Sequence, residues 1–279
     1  MIPNEQRTLK SAVKLSGHGL HSGDMCEVTI QPAGADSGIV FVQDGCLIPG
    51  VVASVVGLAR GTTVGSNGGE IMTVEHLMAA LRGSGVDNAI VEVRGSETPA
   101  LDGSAGPFVD AIREVGTEAQ GKPRRVYRLR ERVSIEANGG CIVASPSQFL
   151  KISYALDYDH PMIGAQTVVF TFDEGAFQDE IAPARTFVLY EEVAGLLADR
   201  LAQGGSPSNT VVVWRDHLSS ALRFSDEFAR HKILDIIGDL ALIGGELRAD
   251  IVAVKSGHAL NIQLARKVSE IADCDGWEG

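Results

Sequence analysis

The sequence lacks long apolar runs and paired cysteines. It has no run of about 18 or more apolar residues, so no segment is predicted to span a membrane. The N-terminal MIPNEQRTLKSAV has no apolar core of the signal-peptide type. The four cysteines are scattered and form no CxxC pair, which argues against a thiolate zinc site and against disulfides. We therefore expect reduced thiols, a cytoplasmic location and no stable membrane insertion.

The sequence is also short of positive charge. It has 24 Lys and Arg against 36 Asp and Glu, which gives a formal net charge of −12. Such a surface repels nucleic acid and anionic membranes, so we expect neither as a main partner. A small anionic substrate is still compatible with this charge, because a few Lys or Arg can form a local positive cleft on an acidic protein.

Several common catalytic signatures are missing. There is no HExxH motif, and no HxxEH motif either, because Met72 stands where its first histidine would be. There is no GxSxG nucleophile turn and no P-loop. The Gly-rich GSNGGE at 65–70 precedes no basic residue and predicts a hairpin turn. A serine hydrolase and a nucleoside triphosphatase are therefore poor interpretations.

The length of 279 residues suits two domains of about 100–150 residues each. Alternating apolar and polar residues predict strands at Thr8–Leu15, Cys26–Gln31, Gly38–Val42, Ala89–Val93, Val126–Leu129, Arg132–Glu136, Cys141–Ser145, Lys151–Leu156, Thr167–Phe172, Thr210–Trp214 and Ile251–Val254. Helical patterns occur at Thr73–Arg82, Pro107–Val115, Leu189–Ala202, Glu227–Leu242 and Ala259–Ala272. The polar Glu118–Arg125 contains Gly and Pro and predicts a linker, so we expect domains at 1–122 and 123–279.

The two halves of the chain share a plan. The segment EHLMAALRGSGVDNAIVEV resembles RHKILDIIGDLALIGGELRADIVAV. Each has a histidine near a helix start, followed by the helix, a Gly-containing turn, a strand and another helix. We therefore predict a duplicated α+β domain with two helices facing one cleft.

Three histidines have unusual neighbours, and the first is His76. Glu75 and His76 are adjacent at the start of a predicted helix. An imidazole there can coordinate a metal, and the neighbouring carboxylate can take a proton from metal-bound water. An exposed Glu–His pair on a helix surface would have the same sequence, so the pair alone does not decide between the two interpretations.

The second histidine belongs to a polar stripe on the longest predicted helix. His231, Asp235 and Asp239 are four residues apart and span roughly 80° of the helix surface. The rest of that surface is mostly apolar, with Ile233, Leu234, Ile236, Ile237 and Leu240. Charged groups on a buried helix cost several kcal/mol unless they are paired or bind a metal. A His and an Asp four residues apart can hold one ion. The alternative is an amphipathic surface helix with an acidic face.

The third histidine lies in KSGHALN at 255–261, which follows a predicted buried strand. Functional loops often occupy such positions. His258 is therefore a candidate catalytic group, and Lys255 is a candidate contact for a phosphate or carboxylate. An ordinary strand-to-helix turn is the alternative.

Together these segments resemble the zinc-dependent UDP-3-O-acyl-N-acetylglucosamine deacetylases of lipid A synthesis. The resemblance is carried by TVEHLMAAL, by LRFSDEFARHKILDIIGDL and by KSGHALN. Three further segments match the family: SGHGLHSG at 16–23, LDGSAGPF at 101–108 and ARTF at 184–187. The matches run in order along nearly the whole chain. The resemblance implies hydrolysis of an N-acetyl group with release of acetate.

The resemblance also implies a fold and a cofactor. The family has two domains of similar topology, each a small sheet layered on helices, with the helices of both domains packed together between the sheets. It holds one zinc ion with two histidines and one aspartate, which here correspond to His76, His231 and Asp235. Water takes the fourth position. Two histidines and an aspartate also accept Fe²⁺, so iron remains an alternative metal.

The resemblance assigns catalytic roles as well. Glu75 corresponds to the general base. His258 corresponds to the cationic acid and oxyanion partner, oriented by Asp239. Thr186 corresponds to the hydroxyl that stabilises the oxyanion. A hydrogen bond from His258 to Asp239 would raise the pKa of His258 and keep it protonated near neutral pH.

The expected substrate is a small acylated UDP-amino sugar. Lys232 matches a substrate-binding lysine beside the zinc histidine, and Phe187 would line the acyl and sugar region. Lys232 and Lys255 would meet the diphosphate. The family forms an apolar acyl passage with an insert in its second domain, and we expect that insert at Asp157–Val168. We expect the protein to be a monomer.

The chain departs from the family pattern close to ARTF. Val188 and Leu189 stand where many members have Gly and Phe, and Glu192 stands near a position often occupied by Asp. His21 is expected near the cleft mouth, without an assigned role. Two alternatives remain: a zinc amidase for another acylated amino sugar, distinguished by an altered acyl passage, and a non-catalytic sugar-nucleotide-binding paralogue, distinguished by a broken zinc or base set.

Overall fold

The structure is a computed structural model that describes residues 5–66 and 68–275. The elements of the first half are β1 (Glu5–Leu9), β2 (Val13–His18), β3 (Met25–Pro32), β4 (Ile39–Gln43), β5 (Cys46–Pro49), β6 (Val55–Gly57), β7 (Thr63–Ser66), β8 (Gly69–Ile71), α1 (Glu75–Gly83), β9 (Ala89–Arg94), α2 (Gly106–Val115) and β10 (Thr117–Pro123). A short 3-10 turn covers Val52–Ser54.

The second half repeats the mixture of short strands and helices. Its elements are β11 (Val126–Arg128), β12 (Val133–Ala137), β13 (Gly140–Pro146), β14 (Lys151–Asp157), β15 (Ala165–Thr171), α3 (Glu174–Ala176), β16 (Phe187–Leu189), α4 (Tyr190–Ala198), β17 (Val211–Val213), α5 (Glu227–Ala241), β18 (Glu246–Val254), α6 (His258–Ile271) and β19 (Asp273–Asp275). A π-helical turn, Phe177–Ile181, follows α3.

The main sheet of the first half has the strand order β2–β3–β9–β4–β5. In the antiparallel β3–β9 pair, Val28 lies opposite Val93 and Ile30 lies opposite Val91. All four side chains are buried, since every second residue of a strand points to the same face. Apolar residues of α1 and α2 belong to the same core. The strand pattern predicted for this half therefore builds one buried face under the helices.

The main sheet of the second half is organised around β18. Its order is β12–β13–β18–β11–β19, and β14 pairs parallel with β18 while β15 pairs antiparallel with β14. Ile251 and Ala253 of β18 are fully buried. The strand predicted at Ile251–Val254 is only the second half of β18, because Glu246–Arg248 continues it alongside β11.

Helices α1 and α5 pack directly against each other, α5 also packs on β14 and β15, and α6 packs on β12 and β13. A side-chain carbon on Gly238 of α5 would lie 2.0 Å from the carbonyl oxygen of Glu75 in α1. Only glycine therefore allows the two helices to approach this closely. The α+β fold and the central packing of the helices agree with the prediction.

Three predicted elements differ from the structure. Thr8–Leu15 is split between β1 and β2. Glu118–Arg125 is largely strand β10, paired antiparallel with β1, and not a linker. Its polar composition reflects exposure of most of its side chains to solvent. The helix predicted at Leu189–Ala202 ends at Ala198, after which Arg200 and Ala202 adopt left-handed backbone angles.

Along 5–66 and 68–275, no helix combines the length and the apolar content that crossing a bilayer would require.

Candidate active site

The site is built where α1 begins. Thr73, two residues before the helix, has a positive φ of 57°. Its hydroxyl donates to Glu97 Oε1 over 2.7 Å, and the Thr98 hydroxyl donates to its carbonyl over 2.5 Å. These two bonds stabilise a backbone angle that non-glycine residues rarely adopt. As a result Glu75 and His76 point into the protein, with exposures of 3% and 7%.

His76, His231 and Asp235 converge from the two packed helices. One ligand atom from each lies within 4.8 Å of the others. Asp235 Oδ1 is 3.7 Å from His76 Nε2 and 3.4 Å from His231 Nε2. Ligands at about 2.0–2.2 Å from a tetrahedral zinc would be separated by roughly these distances. The three side chains therefore fit one metal ion.

The surroundings of these side chains hold them in a state suited to metal binding. His231 Nδ1 lies 3.2 Å from the carbonyl oxygen of Ala184, which leaves Nε2 to face the other two groups. Burial lowers the pKa of His231 to about 3, so its imidazole is neutral and can coordinate through a lone pair. The sequence-predicted stripe on α5 is therefore buried, and the alternative of an acidic surface helix is wrong.

Asp235 is ionised. Burial would raise its pKa, but the charge of Lys232 and contacts with the neighbouring histidines outweigh burial and hold the pKa well below its usual range. Lys232 Nζ donates to Asp235 Oδ2 over 2.9 Å. Burial also acts on Lys232, yet Asp235 raises its pKa above the ordinary value. The lysine thus carries its charge beside the metal group, as the resemblance implies.

A second group of side chains lies beside the metal group. His258 Nδ1 donates to Asp239 Oδ2 over 2.9 Å, and His258 Nε2 lies 3.9 Å from Glu75 Oε1. Burial would lower the pKa of His258, but the Asp239 carboxylate and, less strongly, Glu75 raise it to about 10. Burial raises the pKa of Glu75, against the opposing charges of His258 and His76. The site therefore pairs a cationic histidine with a buried carboxyl.

The Asp239 carboxylate is held by more than His258. Asn261 Nδ2 donates to Oδ2 over 2.9 Å, and the Thr62 hydroxyl donates to Oδ1 over 2.6 Å. The backbone N–H of Thr62 also donates to Glu75 Oε2 over 2.9 Å. Thr62 carries no signal in the sequence, because a threonine in ARGTTVG has no signature until the fold brings it against α5.

Thr186 and Phe187 are placed by buried backbone contacts. The N–H of Thr186 donates to the carbonyl of Gly103 over 2.8 Å. Gly103 has a φ of 83°, and a side-chain carbon there would lie 1.9 Å from a backbone oxygen of Asn209. This close approach explains the glycine of the LDGSAGPF segment. The ring of Phe187 contacts that of Phe228, with centroids 4.7 Å apart, and its centroid is 6.3 Å from that of His231.

A buried ion pair fixes the same segment. Arg185 Nε donates to Glu227 Oε1 over 2.8 Å, and Arg185 Nη2 donates to Oε2 over 3.0 Å. Glu227 begins α5, which also carries His231. The bidentate pair therefore holds ARTF against α5, the helix that carries His231 and Asp235.

The candidate metal ligands lie at one cavity of about 670 Å³. Thr186, Phe187, Lys232, Lys255 and His258 line it together with the metal group and Glu75. Much of the remaining lining is apolar and includes Leu58, Val188, Val193, Leu196, Val212 and Trp214.

The segment Asp157–Val168, predicted to form an acyl passage, contributes no residue to the lining of this cavity. The apolar lining comes instead from β16, α4 and β17, in which Phe187–Leu189 and Val211–Val213 pair as parallel strands. Such a parallel pair needs a crossover, which α4 provides. Asp157 has a different role, since its carboxylate lies 3.0 Å from Lys255 Nζ.

Two lining residues were not assigned a role by the sequence. His21 is buried, and its Nδ1 accepts the N–H of Ala202 over 3.3 Å. Its Nε2 has no hydrogen-bond partner in the described part of the chain. Arg60 forms an ion pair with Glu192 of α4, with 2.9 Å between Nη1 and Oε2. His21 had a signal in SGHGLHSG, whereas Arg60 had none.

Two histidines and an aspartate around one point, beside a buried carboxyl and a cationic histidine, define a mononuclear metal-dependent hydrolase. Comparison with known proteins gives the family. The chain matches the UDP-3-O-acyl N-acetylglycosamine deacetylase family over residues 6–270 and belongs to it.

Curated relatives cover nearly the whole chain. The protein named UDP-3-O-acyl-N-acetylglucosamine deacetylase from Oleidesulfovibrio alaskensis is 43% identical to this chain, over 95% of this chain and 89% of that protein. The Geotalea uraniireducens protein of that name is 41% identical, over 96% and 90%. The Chlamydia abortus protein is 44% identical, over 97% and 99%. The resemblance inferred from the sequence motifs is therefore confirmed.

Proposed function

We propose that this protein is a zinc-dependent deacetylase that hydrolyses the N-acetyl group of UDP-3-O-acyl-N-acetylglucosamine and commits the sugar to lipid A synthesis. The observation that carries the proposal is the position of the His76, His231 and Asp235 group beside the Glu75–His258 pair in one cavity. Membership of the deacetylase family supports the substrate.

His76, His231 and Asp235 would hold the metal. A bound zinc ion supplies a Lewis acid for the acetamide carbonyl and lowers the pKa of water. We favour zinc because imidazole and carboxylate are common zinc ligands. The alternative metal is Fe²⁺, which the same donors would also bind.

Glu75 acts as the general base. Its Oε2 accepts the N–H of Thr62, so Oε1 is the oxygen that faces His258 and accepts the proton of the attacking water. Burial raises the pKa of this carboxyl, which strengthens it as a base. Addition of hydroxide to the acetamide carbon then forms a tetrahedral oxyanion on the substrate.

His258 acts as the cationic partner. Asp239 holds Nδ1, so Nε2 carries the proton that faces the reacting group. This proton stabilises the oxyanion and passes to the leaving nitrogen as the C–N bond breaks. Acetate and the free amino sugar are the products. The Thr186 hydroxyl, which lines the same cavity, is the second donor to the oxyanion.

The cavity lining offers cationic, aromatic and apolar groups for the different parts of the substrate. Lys232 and Lys255 are cationic groups for the diphosphate, and Phe187 offers an aromatic face to the sugar and acyl region. The apolar walls contributed by β16, α4 and β17 suit an acyl chain. Val188, which departs from the family pattern, is part of this wall.

We also propose a monomer. The candidate metal ligands, the acid–base pair and the cavity form within a single chain, so the site does not require a second copy. A sugar nucleotide substrate favours the cytoplasm. We propose that the first domain comprises residues 1–122 and the second residues 123–279, with α1 from one and α5 from the other. Light scattering after gel filtration tests the monomer directly.

The decisive experiment combines metal analysis with acetate release from UDP-3-O-acyl-N-acetylglucosamine, before and after chelation. We expect about one metal ion per chain and acetate release that chelation abolishes and zinc restores. Bound metal without turnover would move the assignment to another acylated amino sugar. Neither metal nor turnover would indicate a non-catalytic paralogue.

A further inference from the structure

We propose that Thr62 is a positioning residue that fixes the relative position of the base and the acid of this site. The proposal rests on the catalytic roles proposed above for Glu75 and His258. Thr62 is fully buried and lies in the turn between β6 and β7, in the first half of the chain. Asp239 and His258 belong to the second half.

The contacts of Thr62 reach both catalytic groups. Its N–H donates to Glu75 Oε2 over 2.9 Å, and its hydroxyl donates to Asp239 Oδ1 over 2.6 Å. Its carbonyl oxygen accepts the N–H of Val74 over 3.1 Å, immediately before α1. One residue therefore joins the start of the helix that carries the base to the carboxylate that orients the acid.

The direction of these hydrogen bonds determines which group each oxygen of Asp239 accepts from. An ionised carboxylate only accepts, so the Thr62 hydroxyl proton is committed to Asp239 Oδ1. The other oxygen, Oδ2, accepts from His258 Nδ1 and from Asn261. With both oxygens engaged, the plane of the Asp239 carboxylate is fixed. His258 is then held with Nε2 directed at Glu75 Oε1.

Gly61, the residue before Thr62, also supports a positioning role for this turn. A side-chain carbon on Gly61 would lie 3.0 Å from Glu75 Oε1, the oxygen assigned to the water proton. The turn thus donates to one oxygen of Glu75 and leaves room beside the other. The Thr62 hydroxyl bonds to Asp239 and lies 3.4 Å from His258 Nδ1. It makes no hydrogen bond to His76, His231 or Asp235 among the described contacts, so the side chain can be changed without removing a candidate metal ligand.

The test uses two pairs of variants that differ by one hydroxyl. In the first pair, Thr62→Val is compared with the wild type, whose side chain has the same shape but carries the hydroxyl. In the second pair, Thr62→Ala is compared with Thr62→Ser, which differs from it only by the hydroxyl. We expect both hydroxyl-free variants to lose about 10–100-fold in kcat, the size seen when outer-shell partners of a site are removed. KM and metal content should stay near wild type, and Thr62→Ser should retain most of the activity.

A double-mutant cycle separates positioning from a structural role. If Thr62 acts through Asp239, Thr62→Val should cost little more in an Asp239→Asn background, because interacting groups are not additive. Full activity of Thr62→Val would overturn the proposal, as would an equal loss in both backgrounds. Unfolding of both hydroxyl-free variants would assign Thr62 to the fold and overturn it as well. An inactive wild-type protein would instead contradict the proposed function.

Discussion

At the scale of single residues, the site consists of ionisable groups that the fold buries in complementary pairs. Asp235 pairs with Lys232 and lies between two imidazoles, and Asp239 pairs with His258. An unpaired buried charge would cost several kcal/mol. Each of these carboxylates therefore has a partner, and the partners set the protonation states that the chemistry needs.

The first prediction separates the metal ligand from the base. Asp235→Ala removes a ligand oxygen, so we expect metal affinity to fall by at least about 10–100-fold with the fold retained. Glu75→Gln is the matched control: it should keep the metal and lower kcat by about 10²–10⁴-fold. Metal content by mass spectrometry and acetate release distinguish them. Unchanged metal in Asp235→Ala would remove Asp235 from the ligand set.

The second prediction concerns pH. The pKa of His258 is raised to about 10 and the protonated form is the active one, so activity should fall on the alkaline side as His258 loses its proton. Asp239→Asn removes the negative charge that raises this pKa. The alkaline limb of kcat/KM should therefore move to lower pH, by about 1–3 units.

Asp157→Asn provides the control for this shift. It removes the same charge from an exposed pair with Lys255, so the alkaline limb should stay in place. A limb that does not move in Asp239→Asn would show that His258 is not the titrating acid.

At the scale of elements, the approach of α1 to α5 brings the metal ligands together. His76 comes from α1, and His231 and Asp235 come from α5, so the ligand distances depend on how closely the two helices pack. Gly238 permits the approach, since a side-chain carbon there would lie 2.0 Å from the Glu75 carbonyl oxygen. The clash would be with backbone, which cannot rotate away.

The third prediction follows from that contact. Gly238→Ala should force α1 and α5 apart, lower the free energy of unfolding by about 1–3 kcal/mol and weaken metal binding. Gly195→Ala on α4 is the control, because a side-chain carbon there meets nothing within 4 Å. It should stabilise the protein by about 0.5–1 kcal/mol, the usual gain from replacing a helical glycine. Urea denaturation and metal titration measure both. Equal stability of the two variants would contradict the packing argument.

At the scale of the whole molecule, a bound metal ion connects two parts of the chain far apart in sequence. The residues proposed to hold it are His76, His231 and Asp235. A ligand that binds only the folded state stabilises it by mass action. The metal should therefore contribute to the stability of the molecule as well as to its chemistry.

The fourth prediction is a stability change on metal removal. At free metal about 1,000 times the Kd, the stabilisation is about 4 kcal/mol, which for a chain of this size raises Tm by roughly 10 °C. Calorimetry before and after chelation measures the change. Asp235→Ala should show a much smaller response to added metal. A Tm that does not respond to metal in the wild-type protein would contradict binding at this site.

The sequence by itself determined the local part of the site. Adjacent Glu75 and His76, and the spacing of His231, Asp235 and Asp239, are fixed by helix geometry at about 100° per residue. Helix periodicity and strand alternation also gave most of the elements, since both arise from neighbours in the chain. The family resemblance added which of these residues act together.

Only the tertiary structure decided the contacts between distant segments. Thr62 lies 177 positions from Asp239, and no local pattern marks their hydrogen bond. The apolar wall of the cavity comes largely from Phe187–Val213 and not from Asp157–Val168. The polar run at Glu118–Arg125 is largely a strand because β1 pairs with it. Such contacts depend on which apolar faces pack and how closely glycine lets them approach, and these are properties of the whole fold.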